Sequence, residues 1–393
     1  MKILFVRAYC PNPIAYGSEM RSSRFVDYLG KFAQLDLLTL TKPTNLADQN
    51  YIKNKFQNFF YFDQVGSNSR LSSFEKLIKL LPWQLTEFYS KDIQNKINKI
   101  VQENQYDFIF IYKLSPLLYF LNLPRAWRSK VVIDFDDILS DLYFNYYKNF
   151  FTARKNSYSL RFYENKALKQ FKRVFVCSND AVLRISARHR NKAGIIPNIF
   201  SAKKEDFFNA PKDKNQLLFV GSLDYFPNTD GLKWFFSHIW PEFKKTYPNL
   251  KMTVVGKAQK SNESLKSFFG NPVNVEVALN VPDVRPYYQN CFATVVPLLN
   301  GSGTRLKILE SAAYGRPVMT TAKGMEGLNF QDQNEIFVFN DSAMFINAYQ
   351  KLLDDQSYRQ ITQAARDVLT NHYSPQAFES YMSQNWQLIQ TAN

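Results

Sequence analysis

The sequence predicts an α/β protein made of two Rossmann-like, doubly wound parallel-sheet domains facing each other across a cleft. Three observations point to it. Short apolar runs alternate with stretches whose apolar residues recur at helical spacing, from ILFVRA near the start to RPVMTT at 316–321, and that alternation is the mark of a mostly parallel sheet. It pauses once, in the polar run SAKKEDFFNAPKDKNQ, and then restarts with LLFVGS. A chain of 393 residues also exceeds one ordinary core and suits two.

Taken in order, ILFVRA reads as a strand, CPNPIAYGSE as a turn-rich loop, MRSSRFVDYLGKF as a helix and LDLLTL as the next strand. DFIFIY (107–112), KVVIDF (130–135), RVFVCS (173–178) and GIIP (194–197) are further strands, with helical stretches between them. These make a first domain over 1–198, and 199–214 reads as the linker after Pro197-Asn198. The second domain, 215–374, repeats the logic with strands LLFVGS (217–222), KMTVVG (251–256), VNVEVA (273–278), FATVVP (292–297) and RPVMTT. Its helices include NTDGLKWFFSHIWPEFKK and TRLKILESAAYG; the last helix, about 375–393, is expected to pack back on the first domain.

Composition agrees with two packed cores: 45% hydrophobic, 16% aromatic and 21% charged residues argue against disorder. Cys10, Cys177 and Cys291 are far apart, odd in number and lie in or beside apolar runs, so they read as small core residues and not as disulfides or metal ligands. Four apolar residues before Arg7 are too few for a signal-peptide core, and no run approaches a membrane span. The expected compartment is the cytoplasm.

The net charge of +15 is one-sided: residues 1–200 hold 30 Lys and Arg against 16 Asp and Glu, residues 201–393 hold 19 against 18. Such a field suits nucleic acid or an anionic membrane surface. No helix-turn-helix, zinc or RNA-binding signature accompanies it, so nucleic acid is set aside. Two basic aromatic stretches, 70–101 and 143–166, read either as amphipathic helices whose apolar faces are simply core or as interfacial elements that insert apolar side chains among acidic head groups. The first domain is therefore expected to meet anionic membrane.

The most informative stretch is VVPLLNGSGTRLKILESAAYGRPVMTT. A strand ends at Pro297, the loop Gly301-Ser302-Gly303-Thr304 follows, and a helix is expected from Thr304 to Tyr314. Glycines leading to a helix N-terminus at the carboxyl end of a strand offer free N–H groups to an anion, and a diphosphate is the natural occupant. Arg305 and Lys307 add positive charge. Glu310 would repel a diphosphate unless it accepts hydrogen bonds from vicinal ribose hydroxyls; the bland alternative is a surface pair with Lys307. In the first domain Asp134, Asp136 and Asp137 end the strand VVIDFDD, and one of them is a candidate to orient an acceptor hydroxyl. Capping or strand-end solvation explains each equally well.

These segments, with FVGSLDYFPNTDG (219–231), MTVVGK (252–257), VPDVRPYY (281–288), GMEGL (324–328), RFYENKALKQFKRVFVCSNDA (161–181) and IIPN (195–198), resemble the GT-B family of group-1 glycosyltransferases over nearly the whole chain. Retaining members share two glutamates separated by seven residues in this region. The resemblance implies ribose contact for Glu310, but Ser302 stands where the first glutamate would fall, which puts carboxylate recognition of the donor hexose in doubt. It also implies donor contacts for Gly17, Ser18, Gly221, Ser222, Gly301, Ser302, Gly303 and Thr304. The family's basic diphosphate pair is missing after LLFVGS, and Arg305 and Lys307 are expected to replace it, as catalytic cations beside Asp136.

The histidine that the family often has after DFIFIY is absent too, since the chain has no His before His189; Tyr112 or Lys113 occupies that neighbourhood. Asp134-Phe135-Asp136 matches the metal motif of the GT-A fold, but the two-half pattern does not suit that fold. The expected reaction moves a hexose-type sugar from a nucleoside-diphosphate sugar to a glycan or lipid-linked acceptor, with retention and no metal or other cofactor. It belongs to cell-surface polysaccharide or glycolipid synthesis, peripherally at the inner face of the plasma membrane. The competing readings are a nucleotide-sugar epimerase, a basic nucleic-acid-binding protein, and an NAD-dependent oxidoreductase, which lacks its G-x-G-x-x-G fingerprint.

Overall fold

The computed structural model describes residues 1–11, 18–43, 45–62, 81–146, 151–201, 206–301 and 303–391. They fall into two units, Met1–Pro197 with Glu379–Asn393, and Asn198–Phe378.

Unit 1 is built on seven parallel strands: β1 (Lys2–Arg7), β2 (Gln34–Thr39), β3 (Asn58–Tyr61), β4 (Phe108–Tyr112), β5 (Val131–Asp136), β6 (Arg173–Val176) and β7 (Ala193–Ile195). Their order is β3-β2-β1-β4-β5-β6-β7. The runs FIFIY and VVIDF are apolar without alternation because both faces of the sheet are covered by helices. On one face Phe5, Phe25, Phe110 and Phe175 form a ring cluster, with Phe5 and Phe110 stacked at 5.3 Å.

Unit 2 holds six parallel strands: β8 (Gln216–Val220), β9 (Lys251–Gly256), β10 (Val275–Leu279), β11 (Ala293–Val296), β12 (Val318–Thr320) and β13 (Phe337–Val338), ordered β10-β9-β8-β11-β12-β13. The fold class read from the sequence is thus observed in both halves. Two strands escaped that reading, β3 and β13. Both lie at sheet edges, and four half-exposed residues in one and two residues in the other are too short to print a period.

Six helices matter below: α1 (Ser18–Leu29), α2 (Leu139–Tyr146), α3 (Phe151–Gln170), α4 (Phe226–His238), α5 (Leu306–Ala313) and α6 (Pro375–Thr391). From Glu379 onward α6 belongs to unit 1. There Trp386 packs on Phe32 and Phe108, and Asn385 donates to the Ile195 carbonyl at 3.2 Å. Residues 206–214 lie on unit 2, where Phe208 stacks on Tyr314 at 5.7 Å and the buried Arg316 guanidinium donates to Asn209 O at 2.8 Å.

Candidate functional site

In unit 2 the strand order reverses between β8 and β11, so the chain leaves their carboxyl ends toward opposite faces and opens a crevice between the two exits. From β8 it continues through Gly221 and Ser222 into α4, whose first turn carries Pro227, preset for a helix start. From β11 it continues through Pro297 to the glycine loop and α5. The two exits are locked together at Gly231: a Cβ there would stand 2.2 Å from the Pro297 carbonyl oxygen, so only glycine lets α4 lie against this strand end.

The glycine loop uses backbone that L side chains avoid, with φ of +114° at Gly301 and +79° at Gly303. Arg305 braces it from within. Its buried guanidinium donates to the carbonyls of Gly301 at 3.1 Å, Lys323 at 3.4 Å and Gly303. This differs from the expected first-turn cation. Arg305 is the N-cap, with φ −82° and ψ 77°, so the helix begins at Leu306 and not at Thr304, whose carbonyl accepts the Leu306 N–H at 3.0 Å. The arginine is drawn inward because loop carbonyls turned away from water need donors.

Lys307, in the first turn of α5, crosses to the other exit. Its ammonium donates to Asn228 Oδ1 at 2.5 Å, lies 4.4 Å over the Phe219 ring, and fills the space beside Gly221, where a Cβ would be 2.8 Å from Nζ. Asn228 is fixed in turn by donating from Nδ2 to the Ser222 carbonyl at 2.7 Å. Lys307 has no ion-pair partner among the described residues. Burial, then the charge of Arg305, push its pKa down to about 7, with Glu310 opposing.

Glu310 follows about one helical turn on. Its Oε2 accepts the Tyr288 hydroxyl at 3.0 Å, which leaves Oε1 without a protein donor among the described residues. Burial pushes its pKa up to about 7, against the pull of the Tyr288 hydrogen bond and of Lys307. A cation of adjustable charge therefore sits beside glycine backbone, and a carboxylate with one anchored oxygen stands a turn away. That arrangement can take a diphosphate and a vicinal diol together.

Lys307, Glu310, Gly221, Ser222, Gly301, Gly303, Thr304 and Arg305 thus gather at one strand crest. Ser302 and Gly17 lie outside the described residues, and Ser18 is the first residue of α1. Sequence reasoning gave no role to Asn228, Phe219 or Tyr288, although Asn228 carried a signal as an amide just inside a helix start, within a quoted segment.

Unit 1 has its own polar crest at the ends of β1, β4 and β5. Asp134 is fully buried in a two-pronged pair with Arg21, at 2.6 and 2.8 Å, and Asp137 accepts the N–H of Ile138 at 2.8 Å. Asp136 differs from both. A β-bulge between Asp134 and Asp136 and a left-handed φ of +61° turn it outward, with side-chain exposure of 20%. Lys113, at φ +67° on the end of β4, faces it at 3.7 Å. Non-glycine residues in this conformation cost roughly 1–2 kcal/mol each and cluster at functional sites. Tyr112 is buried beneath the Arg7 guanidinium.

Among the described residues no group of three His, Cys, Asp or Glu side chains is placed to hold a metal ion, and no helix is long and apolar enough to cross a membrane.

Comparison with known proteins agrees with this fold. Residues 214–355 match the family model for glycosyl transferases group 1. An uncharacterized 44.6 kDa protein in the cps region of Klebsiella pneumoniae is 24% identical over 363 residues, which cover 88% of this chain and 89% of that protein. Among solved structures, sucrose-phosphate synthase from Thermosynechococcus elongatus superposes with a TM-score of 0.69 at 16% identity, covering all of both chains. Anabaena HepE in complex with UDP and glucose gives 0.63 at 14% identity, covering 98% of this chain and 99% of that one. The family match lies on the unit that carries the glycine loop, and the two-sheet GT-B architecture is shared with these solved structures from end to end, so residues 214–355 are similar to group 1 glycosyl transferases and the chain as a whole has the GT-B fold.

Proposed function

We propose that the chain transfers a hexose-type sugar from a nucleoside-diphosphate sugar to a glycan or lipid-linked acceptor, with retention, in cell-surface polysaccharide or glycolipid synthesis. The carrying observation is the Lys307 ammonium held beside Gly221, one turn from a carboxylate with a free oxygen. In this reading Lys307, the loop backbone and the α5 N-terminus receive the diphosphate, and Glu310 receives the ribose. When the bond from the sugar to the phosphate oxygen breaks, charge grows on the leaving diphosphate, where fixed donors lower the barrier. The fold shared with HepE, whose structure holds UDP and glucose, supports the donor class, and the cps-region relative supports the pathway class. Asp136 is proposed as the acceptor-side group of unit 1, and the basic surplus of residues 1–200 supports work at the inner face of the plasma membrane.

Glu310→Gln tests the ribose assignment. It keeps the size and the Tyr288 contact but removes the charge, and charge-assisted hydrogen bonds contribute about 1.5–3 kcal/mol. Affinity should fall by roughly one to two decades in a calorimetric titration with whichever of UDP, GDP, ADP or dTDP most raises the melting temperature. An unchanged affinity in a folded variant removes Glu310 from the site. A second expectation is that transfer needs no divalent metal, because Lys307 and the helix N-terminus supply the positive charge while Arg305 braces the loop. Excess EDTA should leave the rate unaltered; a loss restored by Mg or Mn would overturn this.

A further inference from the structure

We propose that the outward face of α3 is the surface by which unit 1 docks on an anionic lipid bilayer, an inference that builds on the membrane-face reading above and gives it a location. Arg154, Lys155, Tyr158, Arg161, Phe162 and Lys169 recur at helical spacing along one side of α3, and all six are exposed. The aromatic pair is unusual for such a face. Tyr158 is 64% and Phe162 61% exposed, while Phe144 of α2 adds a 40% exposed ring 6.3 Å from Tyr158.

The charges are one-sided as well. The helix has five basic residues and a single acid, Glu164, which is buried and accepts hydrogen bonds from the N–H and hydroxyl of Ser140 at 3.1 and 2.6 Å. It is therefore turned away from the exposed face. The nearby carboxylate of Asp141 is already matched by Arg161 at 3.0 Å and Arg184 at 3.7 Å. Arg154 and Lys155 have no acidic partner among the described residues. Rings projecting between cations, with no carboxylate to repel phosphate, complement a bilayer: the rings enter the head-group layer and the cations meet lipid phosphates. A nucleic acid would reward the cations as well, but it leaves no apolar layer for Phe144 and Phe162.

The test uses the full chain and sedimenting vesicles of phosphatidylcholine, with and without about 30% phosphatidylglycerol, at low and physiological salt. Binding should require the anionic lipid and weaken with salt. Arg154→Glu with Lys155→Glu should lower the bound fraction at least about fivefold, and Tyr158→Ser with Phe162→Ser by a similar factor, since both components act together. A charge-matched pair in unit 2, Lys245→Glu with Lys251→Glu, should bind like wild type. A denaturant melt with the wild-type midpoint serves as the folding check on unit 1, which carries α3, and nucleoside-diphosphate titration as the check on unit 2. Equal binding to neutral and anionic vesicles, no binding to either, insensitivity to the α3 changes, or displacement from vesicles by duplex DNA would each overturn the proposal. None of these outcomes would disturb the donor-site reading, which would instead fail if no nucleoside diphosphate bound.

Discussion

Lys307→Met should weaken nucleoside-diphosphate binding by about one to two decades at pH 6, the loss expected for charge-assisted hydrogen bonds, and by progressively less as the pH rises. With its pKa held near 7, Lys307 is charged below that value and neutral above it. An anion bound beside the amine raises its pKa in the complex, so above about pH 7 binding must take up a proton and wild-type affinity falls, by at most tenfold per pH unit. Glu310 acts with the opposite sign. Its pKa is raised to about 7, so below that pH the carboxyl must give up a proton before it accepts both ribose hydroxyls, and affinity climbs toward pH 7. The expected profile is a bell with both limbs near neutrality, and because the two groups interact its limbs belong to the pair. Lys307→Met should abolish the alkaline limb and Glu310→Gln the acid one. Calorimetry in two buffers of different ionisation enthalpy reads the proton uptake directly; a wild-type affinity constant from pH 6 to 9 would remove Lys307 from the diphosphate.

The second large effect is expected at Gly231, away from any ligand. In Gly231→Ala the new methyl would meet the Pro297 carbonyl oxygen at 2.2 Å, a backbone atom with no rotamer to escape by. Either α4 or the β11 exit must shift. Overpacking of this kind costs typically 1–3 kcal/mol, occasionally more, and here it should come with a loss of nucleotide affinity, because α4 carries Asn228 and β11 leads into the glycine loop. Denaturant melts and the same titration read the two effects separately. Full stability with normal binding would show that the two exits are not locked.

The parallel sheets were legible in the sequence because buried strands such as FIFIY and VVIDF print as unbroken apolar runs, and because the switch-point loop GSGT stands between a strand and a helix. Glu310 and Lys307 were legible as a chemical pair on one helix. Asn228 was not, because its partner lies 79 residues away and its role exists only once β8 and β11 are neighbours. Arg305 shows the opposite limit: charge and position suggested a ligand, but side-chain direction was set by loop carbonyls that only the fold reveals. Among the three aspartates after VVI, burial and a bulge separated Asp136 from its neighbours, and neither is written in the pattern DFDD.

The route of α6 bears on how the protein is made. Its residues from Glu379 complete unit 1, filling the space beside Gly194 with Asn385 and covering Phe108 with Trp386, yet the ribosome reaches them only after the whole of unit 2. Domains generally fold as they emerge, the earlier first. Here that order is inverted at the finish: the nascent first unit waits with an uncovered apolar patch along Phe32 and Phe108 while unit 2 is synthesised and can close. The interval in which a chaperone has most to protect therefore falls late in translation, and on the half of the protein that was begun first.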